Sequence, residues 1–315
     1  MRDQFEIGND PRGSPTMFAR ASRFEFVAEQ YTGSTPAIGC DGRVPGAAID
    51  LTHWQGNHTP MEFKADTSTE IALKFVASHE SLKWSGAVVV NNHFDTDGAL
   101  SAWALLDPDH AECCRDLMIA AAEAGDFDEW PGRDEGLWLD AAIRALAAPA
   151  ADDAEAYAVV LPQLAELTHH LAAHRDLWGA EWDQLQQACE ALDAGKYRAD
   201  RHGGLGVMWH AAGMPEAPGA LIGRRFLPGT RRYLLAFDHG DGTYSYRYER
   251  PRYAWAETVV RPACPAPDAA GLASALGPAW TANGLPGMTG IVQTQTPVHE
   301  SPDTIARQLA RLDSV

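Results

Sequence analysis

The sequence contains no run of about 18 apolar residues, the length a helix needs to cross a bilayer, so no membrane association is expected. Its first residues, Met1-Arg-Asp-Gln-Phe-Glu, lack the apolar core of a secretory leader. Cysteine is scarce and odd in number: Cys40, Cys113, Cys114, Cys189 and Cys264, with no Cys-x-x-Cys pair. That usage argues against a disulfide framework and a thiolate zinc site, and predicts reduced thiols in a cytoplasmic protein. Also missing are a Gly-x-Ser-x-Gly elbow, a Walker phosphate loop, a His-Glu-x-x-His helix and a Gly-x-Gly-x-x-Gly turn. Serine hydrolysis, phosphate-loop chemistry, zincin proteolysis and dinucleotide binding lose their usual sequence support. There is no internal repeat.

What is present is ample material for a core. The 315 residues are 45% hydrophobic and include ten tryptophans, enough for two domains or one elaborated domain. The net charge of -18 is unevenly spread: residues 1–195 hold 33 of the 43 acids but only 12 of the 25 Lys and Arg. An acidic surface of that kind opposes duplex nucleic acid, which is bound by counterion release. Residues 196–261 are locally basic, with Arg224-Arg225, Arg231-Arg232, Arg247, Arg250 and Arg252. These arginines are either solvated strand faces or contacts to a phosphorylated small molecule, and Arg224 and Arg225 are the candidates for the latter.

The pattern of elements predicts an α/β fold: a parallel sheet core, a helical middle insert and a C-terminal β-rich α+β part. In domain terms these are residues 1–108, 109–200 and 201–315. Residues 1–45 hold Gly, Pro and one amphipathic piece, Met17 to Tyr31. A first strand is expected over Gly46–Leu51 and a second over Ser85–Asn91. Thr67-Ser-Thr-Glu70 reads as a capping box opening a helix to about Ser78. Another helix is expected after Gly98, and this β-α-β-α order makes the two strands a parallel pair with their ends on one edge. The loop with His53, Asn57 and His58 then lies near residues 93–97. Helices are expected over His110–Ala124 (closed by Gly125), Asp134–Ala148, Ala154–Leu177 and Glu181–Ala194. Beyond them, strands are expected over Leu205–His210, Arg232–Asp238 and Thr243–Glu249, with Pro251–Arg261 continuing the sheet, and helices over Ala269–Leu276 and Ser301–Leu312. Asp238-His-Gly-Asp-Gly-Thr supplies a hairpin turn, and Gly284–Gly290 a loop.

Chemistry concentrates in Val88-Val-Val-Asn-Asn-His-Phe-Asp-Thr-Asp-Gly-Ala-Leu-Ser101. An apolar run breaks into His93, Asp95 and Asp97 where a buried strand gives way to a helix, the place where open α/β sheets bind ligands. Imidazole and carboxylates together suit Mn²⁺, Mg²⁺, Fe²⁺ or Zn²⁺. The structural alternative is that Asp97 or Thr96 caps the helix, Asp95 makes a turn and His93 is solvated. Asp126, just past a helix end, is a candidate bridging carboxylate, with turn chemistry as its alternative. Glu166, His170 and His174 recur every four residues on one helix face, so His170 is a further candidate ligand and His174 a candidate substrate contact, or the three form a solvated face. His53 and Asn57 are candidates for substrate contact, or for holding the 54–60 loop.

The strand running into Asn92-His-Phe-Asp-Thr-Asp-Gly-Ala-Leu-Ser101 resembles the first motif of the DHH phosphoesterase superfamily. It is similar to the Asp-x-Asp-x-Asp-Gly pattern of that superfamily's single-strand-specific exonucleases, with His in the first place. The resemblance covers some fifteen residues. It implies metal ligands at His93, Asp95 and Asp97, dependence on Mn²⁺ above all, or Mg²⁺, and hydrolysis of phosphodiesters, pyrophosphate or cyclic dinucleotides. The superfamily's Asp-His-His has its nearest counterpart here in Thr168-His-His170, which falls in a helical stretch rather than at a strand end.

The expected function is therefore that of a metal-dependent hydrolase, a phosphoesterase acting on a nucleotide or other small phosphorylated substrate, with Asp97 and His93 at the centre of the chemistry. A metal enzyme of non-phosphate chemistry (amide hydrolysis or non-haem iron) and a non-catalytic nucleotide- or partner-binding protein are the alternatives.

Overall fold

A computed structural model describes residues 24–28, 31–227, 229–283 and 290–313. Most of the Gly284–Gly290 stretch and the residues on either side of 24–28 in the Met17–Tyr31 piece lie outside the described residues.

Two sheets organise the chain. The first is wholly parallel, with spatial order β1-β4-β2-β3, formed by β1 (Glu25–Ala28), β2 (Ala37–Cys40), β3 (Ile49–Leu51) and β4 (Val88–Asn91). All four residues of β2 and of β4 are buried, as expected of strands covered on both faces. The two strands expected from the sequence, now β3 and β4, are parallel and share the sheet, but β2 lies between them. β2 was hidden because Ala-Ile-Gly-Cys is short and follows a stretch dense in Gly and Pro. What matters for function survives that correction: the chain leaves β2, β3 and β4 on one edge.

Helix α1 (Ser68–Ala77) begins at Thr67, whose side chain accepts the Glu70 amide, as the capping pattern predicts. α2 (Thr96–Leu106) follows β4 and is buried over nearly its whole length. The middle region is helical: α3 (Pro108–Cys113), α4 (Arg115–Phe127), α5 (Asp134–Ala147), α6 (Asp153–Val160), α7 (Leu164–His170) and α8 (Arg175–Asp193). Two short 3-10 turns, Leu161–Gln163 and Leu171–His174, interrupt what the periodicity presented as one helix over 154–177. α4 runs past Gly125 to Phe127, and Asp128 rather than Gly125 takes the left-handed conformation at its end, with φ of 52°. The first core spans both regions, from Phe24 to Trp178, and includes Ile38, Val89, Trp103, Met118 and Leu139.

The second sheet has the order β5-β6-β7-β8-β10-β9. Its strands are β5 (Tyr197–His202), β6 (Leu205–His210), β7 (Arg232–Asp238), β8 (Tyr244–Glu249), β9 (Trp280–Asn283) and β10 (Ile291–Thr294). Every pairing is antiparallel except β6 with β7, which is parallel and joined by the crossover helix α9 (Gly219–Phe226). One face packs α10 (Ala269–Leu276) and α11 (Pro302–Leu312), through Leu272, Ile305 and Leu309. The other packs α8 and α9, through Leu185, Leu221 and Phe226.

Pro251–Arg261 does not continue this sheet. It forms a short 3-10 turn, Arg252–Trp255, and then crosses to the first half of the chain. Its amides serve other acceptors there: Glu257 donates to the His53 carbonyl, and residues 259–261 donate to the Asp66 carboxylate.

Candidate metal centre

The loops leaving β2, β3 and β4 each deliver chemistry to the same edge of the sheet, where parallel sheets place their ligands. Asp41 follows β2 directly, with a φ of 51°. A left-handed aspartate is tolerated more readily than most residues, but it is still uncommon. Here it turns the carboxylate into the interior: Asp41 is fully buried. His53 comes from the loop after β3, His93 and Asp95 from the turn after β4, Asp97 from the first turn of α2, and Asp126 from the last turn of α4.

These side chains form two groups, each with ligand atoms within 4.8 Å of one another: Asp41, His53, Asp97 and Asp126 in one, Asp41, His93 and Asp95 in the other. Asp41 belongs to both. His53 Nε2 lies 3.1 Å from Asp126 Oδ2 and 3.8 Å from both Asp41 Oδ1 and Asp97 Oδ2. His93 Nε2 lies 3.1 Å from Asp41 Oδ2 and 3.2 Å from Asp95 Oδ2.

Hydrogen bonds orient the ligands from behind. His53 Nδ1 is 2.6 Å from the Asp66 carbonyl, an acceptor only, so Nδ1 carries a proton and the neutral ring presents its Nε2 lone pair to the carboxylates. Asp97 accepts the amides of Ser68 and Thr69, both at 2.7 Å, at the start of α1. There the free amides and the helix dipole favour a carboxylate. Asp95 caps α2 by accepting the Gly98 amide at 2.8 Å and leaves its other oxygen for His93. Tyr157 donates to the His93 carbonyl at 2.8 Å and accepts from Asn91 at 2.7 Å. Gly98 is required by this crowding. A Cβ there would come within 2.5 Å of Asn91 Nδ2, 2.7 Å of the Tyr157 hydroxyl and 3.0 Å of Asp41 Oδ2.

Despite this support, both oxygens of Asp41 and Nε2 of His53 are buried without a hydrogen-bond partner. Buried polar atoms are paired in nearly every folded protein, and a neutral imidazole facing three carboxylates has nothing to donate. A cation between them satisfies all of these atoms at once, so the residues present fit a metal. The proton affinities say the same. Burial alone would lower the His53 imidazole, yet Asp126, Asp97 and Asp41 raise it to about 10. Burial likewise works against charge on His93, and Asp41 and Asp95 raise it to about 11. Desolvation and the neighbouring carboxylates push Asp41 well above the carboxylate range and Asp126 up to about 7. The cluster is a sink for positive charge. Four carboxylates face two imidazoles, so two divalent cations balance it when the imidazoles are neutral.

Of the residues singled out in the sequence, the structure brings together His93, Asp95, Asp97, Asp126 and His53. His53, expected at the substrate, stands among the carboxylates instead. Asn57 stays close by but is engaged, donating to the Trp54 carbonyl and to Glu257. His170 and His174 are not in the cluster; both face Glu166, at 3.9 and 3.5 Å, and His170 is largely exposed. The break at Leu171 turns that helix away from its expected register. Arg224 stacks over the Trp130 ring at 4.1 Å and Arg225 is exposed, and neither joins the cluster. The missed residue is Asp41. Its signal was Ala37-Ile-Gly-Cys-Asp-Gly42, an apolar run ending in Asp-Gly like that of residues 88–98.

Beside the cluster a cleft of about 670 Å³ is lined by Arg43, Asp50, Trp54, Gln55, Asn92 and Trp255, among others. Trp54 packs 5.3 Å from the His93 ring, and Trp255 packs edge-on to His53 at 4.9 Å and to Trp54 at 5.5 Å. Two of its wall residues thus pack against a histidine of each ligand group.

No curated protein matches the sequence. Among solved structures, the chain is similar to the pGpG-specific phosphodiesterase PggH from Vibrio cholerae. The TM-score is 0.45 and the identity 9%, over 88% of this chain and 83% of that one. A family model matches residues 22–306, nearly the whole chain, and the protein belongs to that family, a family of unknown function (DUF6687).

Proposed function

We propose that the protein is a metal-dependent phosphoesterase that hydrolyses a nucleotide or a similar small phosphorylated substrate at the Asp41 cluster. The observation that carries the proposal is the pair of ligand groups sharing Asp41, with buried donor atoms that no protein group satisfies. His53, Asp97 and Asp126 would hold one divalent ion together with Asp41, and His93 and Asp95 the other. The carboxylate-rich set suits Mn²⁺ or Mg²⁺ first, and Fe²⁺ or Zn²⁺ next. Bound in such a pair, the ions supply Lewis acidity, which lowers the pKa of a water and neutralises charge developing on phosphoryl oxygens.

The protein's own groups do the rest. Asp97 is locked by two helix amides and His53 by the Asp66 carbonyl, so both keep one orientation as charge changes nearby. Asp41, shared and dry, ties the two halves of the cluster together. The cleft brings the substrate in: Arg43 and Asn92 offer donors for a phosphate, and the Trp54 and Trp255 indoles offer an apolar wall on which a base stacks. Amide hydrolysis and iron chemistry fit the ligand types less well, because a doubly held pair of hard cations suits a phosphoryl group with several charged oxygens.

The test is hydrolysis of a dinucleotide and of bis(p-nitrophenyl) phosphate by chelator-treated protein, before and after Mn²⁺ is restored. Turnover is expected only with metal, and Asp97→Asn is expected to abolish it while leaving the circular dichroism spectrum intact. Full turnover by the metal-free protein, or unchanged turnover in Asp97→Asn, rules the reading out.

A further inference from the structure

We infer that Asp66, together with Arg261, is a positioning residue of the metal centre: the segment 255–261 clamps His53 in the ring orientation and tautomer that a metal ligand needs. The inference rests on the two-cation reading above and extends it to residues that belong to neither ligand group.

Asp66 faces two ways. Its carbonyl accepts His53 Nδ1 at 2.6 Å. Its carboxylate, nearly buried, receives the backbone amides of Val259, Val260 (2.8 Å) and Arg261 (3.1 Å), and the Arg261 guanidinium at 2.8 Å. Charge-assisted bonds of this kind are about twice as strong as neutral ones, and four of them converge on one side chain. Arg261 is in turn fixed by Glu129 at 2.6 Å and Glu123 at 3.0 Å, and lies over the Phe127 ring at 4.7 Å. Phe127 is itself 5.7 Å from the His53 ring and follows Asp126 directly.

The same segment reaches His53 at two more points. Glu257 donates its amide to the His53 carbonyl at 2.7 Å, and the Trp255 ring stands edge-on to the imidazole at 4.9 Å. The Glu257 carboxylate pins the loop beyond, through Gly56, Asn57 and Lys64. His53 is therefore held at its carbonyl, at its ring face and at the acceptor that sets its tautomer. Each hold depends on residues 255–261. Partners that orient a metal-binding imidazole typically change metal affinity by about 10- to 100-fold when removed.

The experiment measures Mn²⁺ binding to the full chain by calorimetry and, on ¹⁵N-His-labelled metal-free protein, the His53 ring resonances by NMR. Asp66→Asn keeps the backbone carbonyl and one side-chain oxygen but turns an NH2 group toward two of the four donors, which then lack an acceptor. It is expected to weaken Mn²⁺ binding about 10-fold or more and to lose or shift the protected Nδ1–H resonance, with the far-ultraviolet spectrum unchanged. Should that variant fail to fold, Arg261→Gln leaves the three amides in place and is expected to give a smaller loss of the same kind. Wild-type affinity and a wild-type Nδ1–H resonance in a folded variant overturn the inference. If the wild-type chain binds no divalent ion, the two-cation reading has failed, and the Nδ1–H resonance alone still decides whether Asp66 holds the His53 ring.

Discussion

Replacing Asp41 by Asn separates a metal ligand from a structural carboxylate by the sign of two effects. Asp41 is buried with neither oxygen in a well-formed hydrogen bond, although His93 Nε2 lies 3.1 Å from Oδ2, and ligand atoms of Asp97, Asp126 and Asp95 lie within 4.8 Å of it in one group or the other. At that distance, with an effective dielectric constant of 20, each carboxylate pair repels by about 3.5 kcal/mol. Protons taken up by the neighbouring groups relieve part of this, so the metal-free Asn variant is expected to be at least as stable as the wild type. An ordinary buried carboxylate that held the fold together would give the opposite result. The response to metal should vanish: one divalent site at 100 times its Kd stabilises by about 2.7 kcal/mol, so two sites contribute about 5 kcal/mol. At about 2 °C for each kcal/mol in a chain of this length, the wild type should gain about 10 °C in Tm when Mn²⁺ is added. Asp41→Asn loses that gain because both ligand groups need Asp41, whereas Asp95→Asn spares the His53 group and should keep about half. Differential scanning fluorimetry with and without Mn²⁺ reads all three proteins. A metal-free Asp41→Asn protein less stable than wild type, with its Mn²⁺ gain intact, would falsify the shared-ligand assignment.

Three further outcomes follow from the same geometry. His53 and His93 are raised to about 10 and about 11 and so are charged at neutral pH without metal, while a ligand imidazole is neutral; Mn²⁺ binding should release protons and tighten as pH rises, and a calorimetric enthalpy independent of buffer ionisation heat excludes it. Trp54→Ala removes an indole wall of the cleft but no ligand; stacking of about 1–3 kcal/mol per base predicts a KM for a dinucleotide raised about 5-fold or more, with kcat little changed, and an unchanged KM argues that the base does not lie there. Gly98→Ala puts a methyl against Asn91, Tyr157 and Asp41; overpacking of this kind costs about 1–3 kcal/mol, and a denaturant midpoint equal to wild type shows that the turn accommodates it.

The half of the site carried on residues 93–97 was legible because it is local. An apolar strand, two alternating acids and a glycine before a helix are all set by neighbours in sequence, and so was the cap at Thr67; the helix after Gly98 is capped by Asp95 rather than by Asp97 or Thr96. His53 was found near the site by topology, since two parallel strands end on one edge whichever strand separates them. Its role was not legible, because it depends on the acceptor behind the ring. The Asp66 carbonyl fixes Nδ1, and nothing in Lys64-Ala-Asp-Thr67 announces that. Asp41 was missed for a different reason: β2 is four residues long, too short for its periodicity to stand out from the Gly- and Pro-rich stretch before it.

The arginines show the converse error. Read as a basic patch, residues 196–261 invited a phosphate, but in the fold several of these arginines are already paired with acids. Arg232 pairs with Asp313, Arg247 with Glu216 and Glu249, and Arg261 with Asp66, Glu123 and Glu129. Those acids lie up to 195 residues away in sequence, so a local count of charge cannot see them. Arg43 is different. It lines the cleft beside Trp54 and Asn92, in the half of the chain that is strongly acidic. A single cation set against that background attracts an anion more selectively than one of many in a basic stretch. Under the proposed function, Arg43 and divalent ions held at the Asp41 cluster would be where this acidic half accepts a phosphate. If that reading holds, the charge distribution that first argued against duplex binding would also favour a small phosphorylated substrate over a nucleic acid duplex.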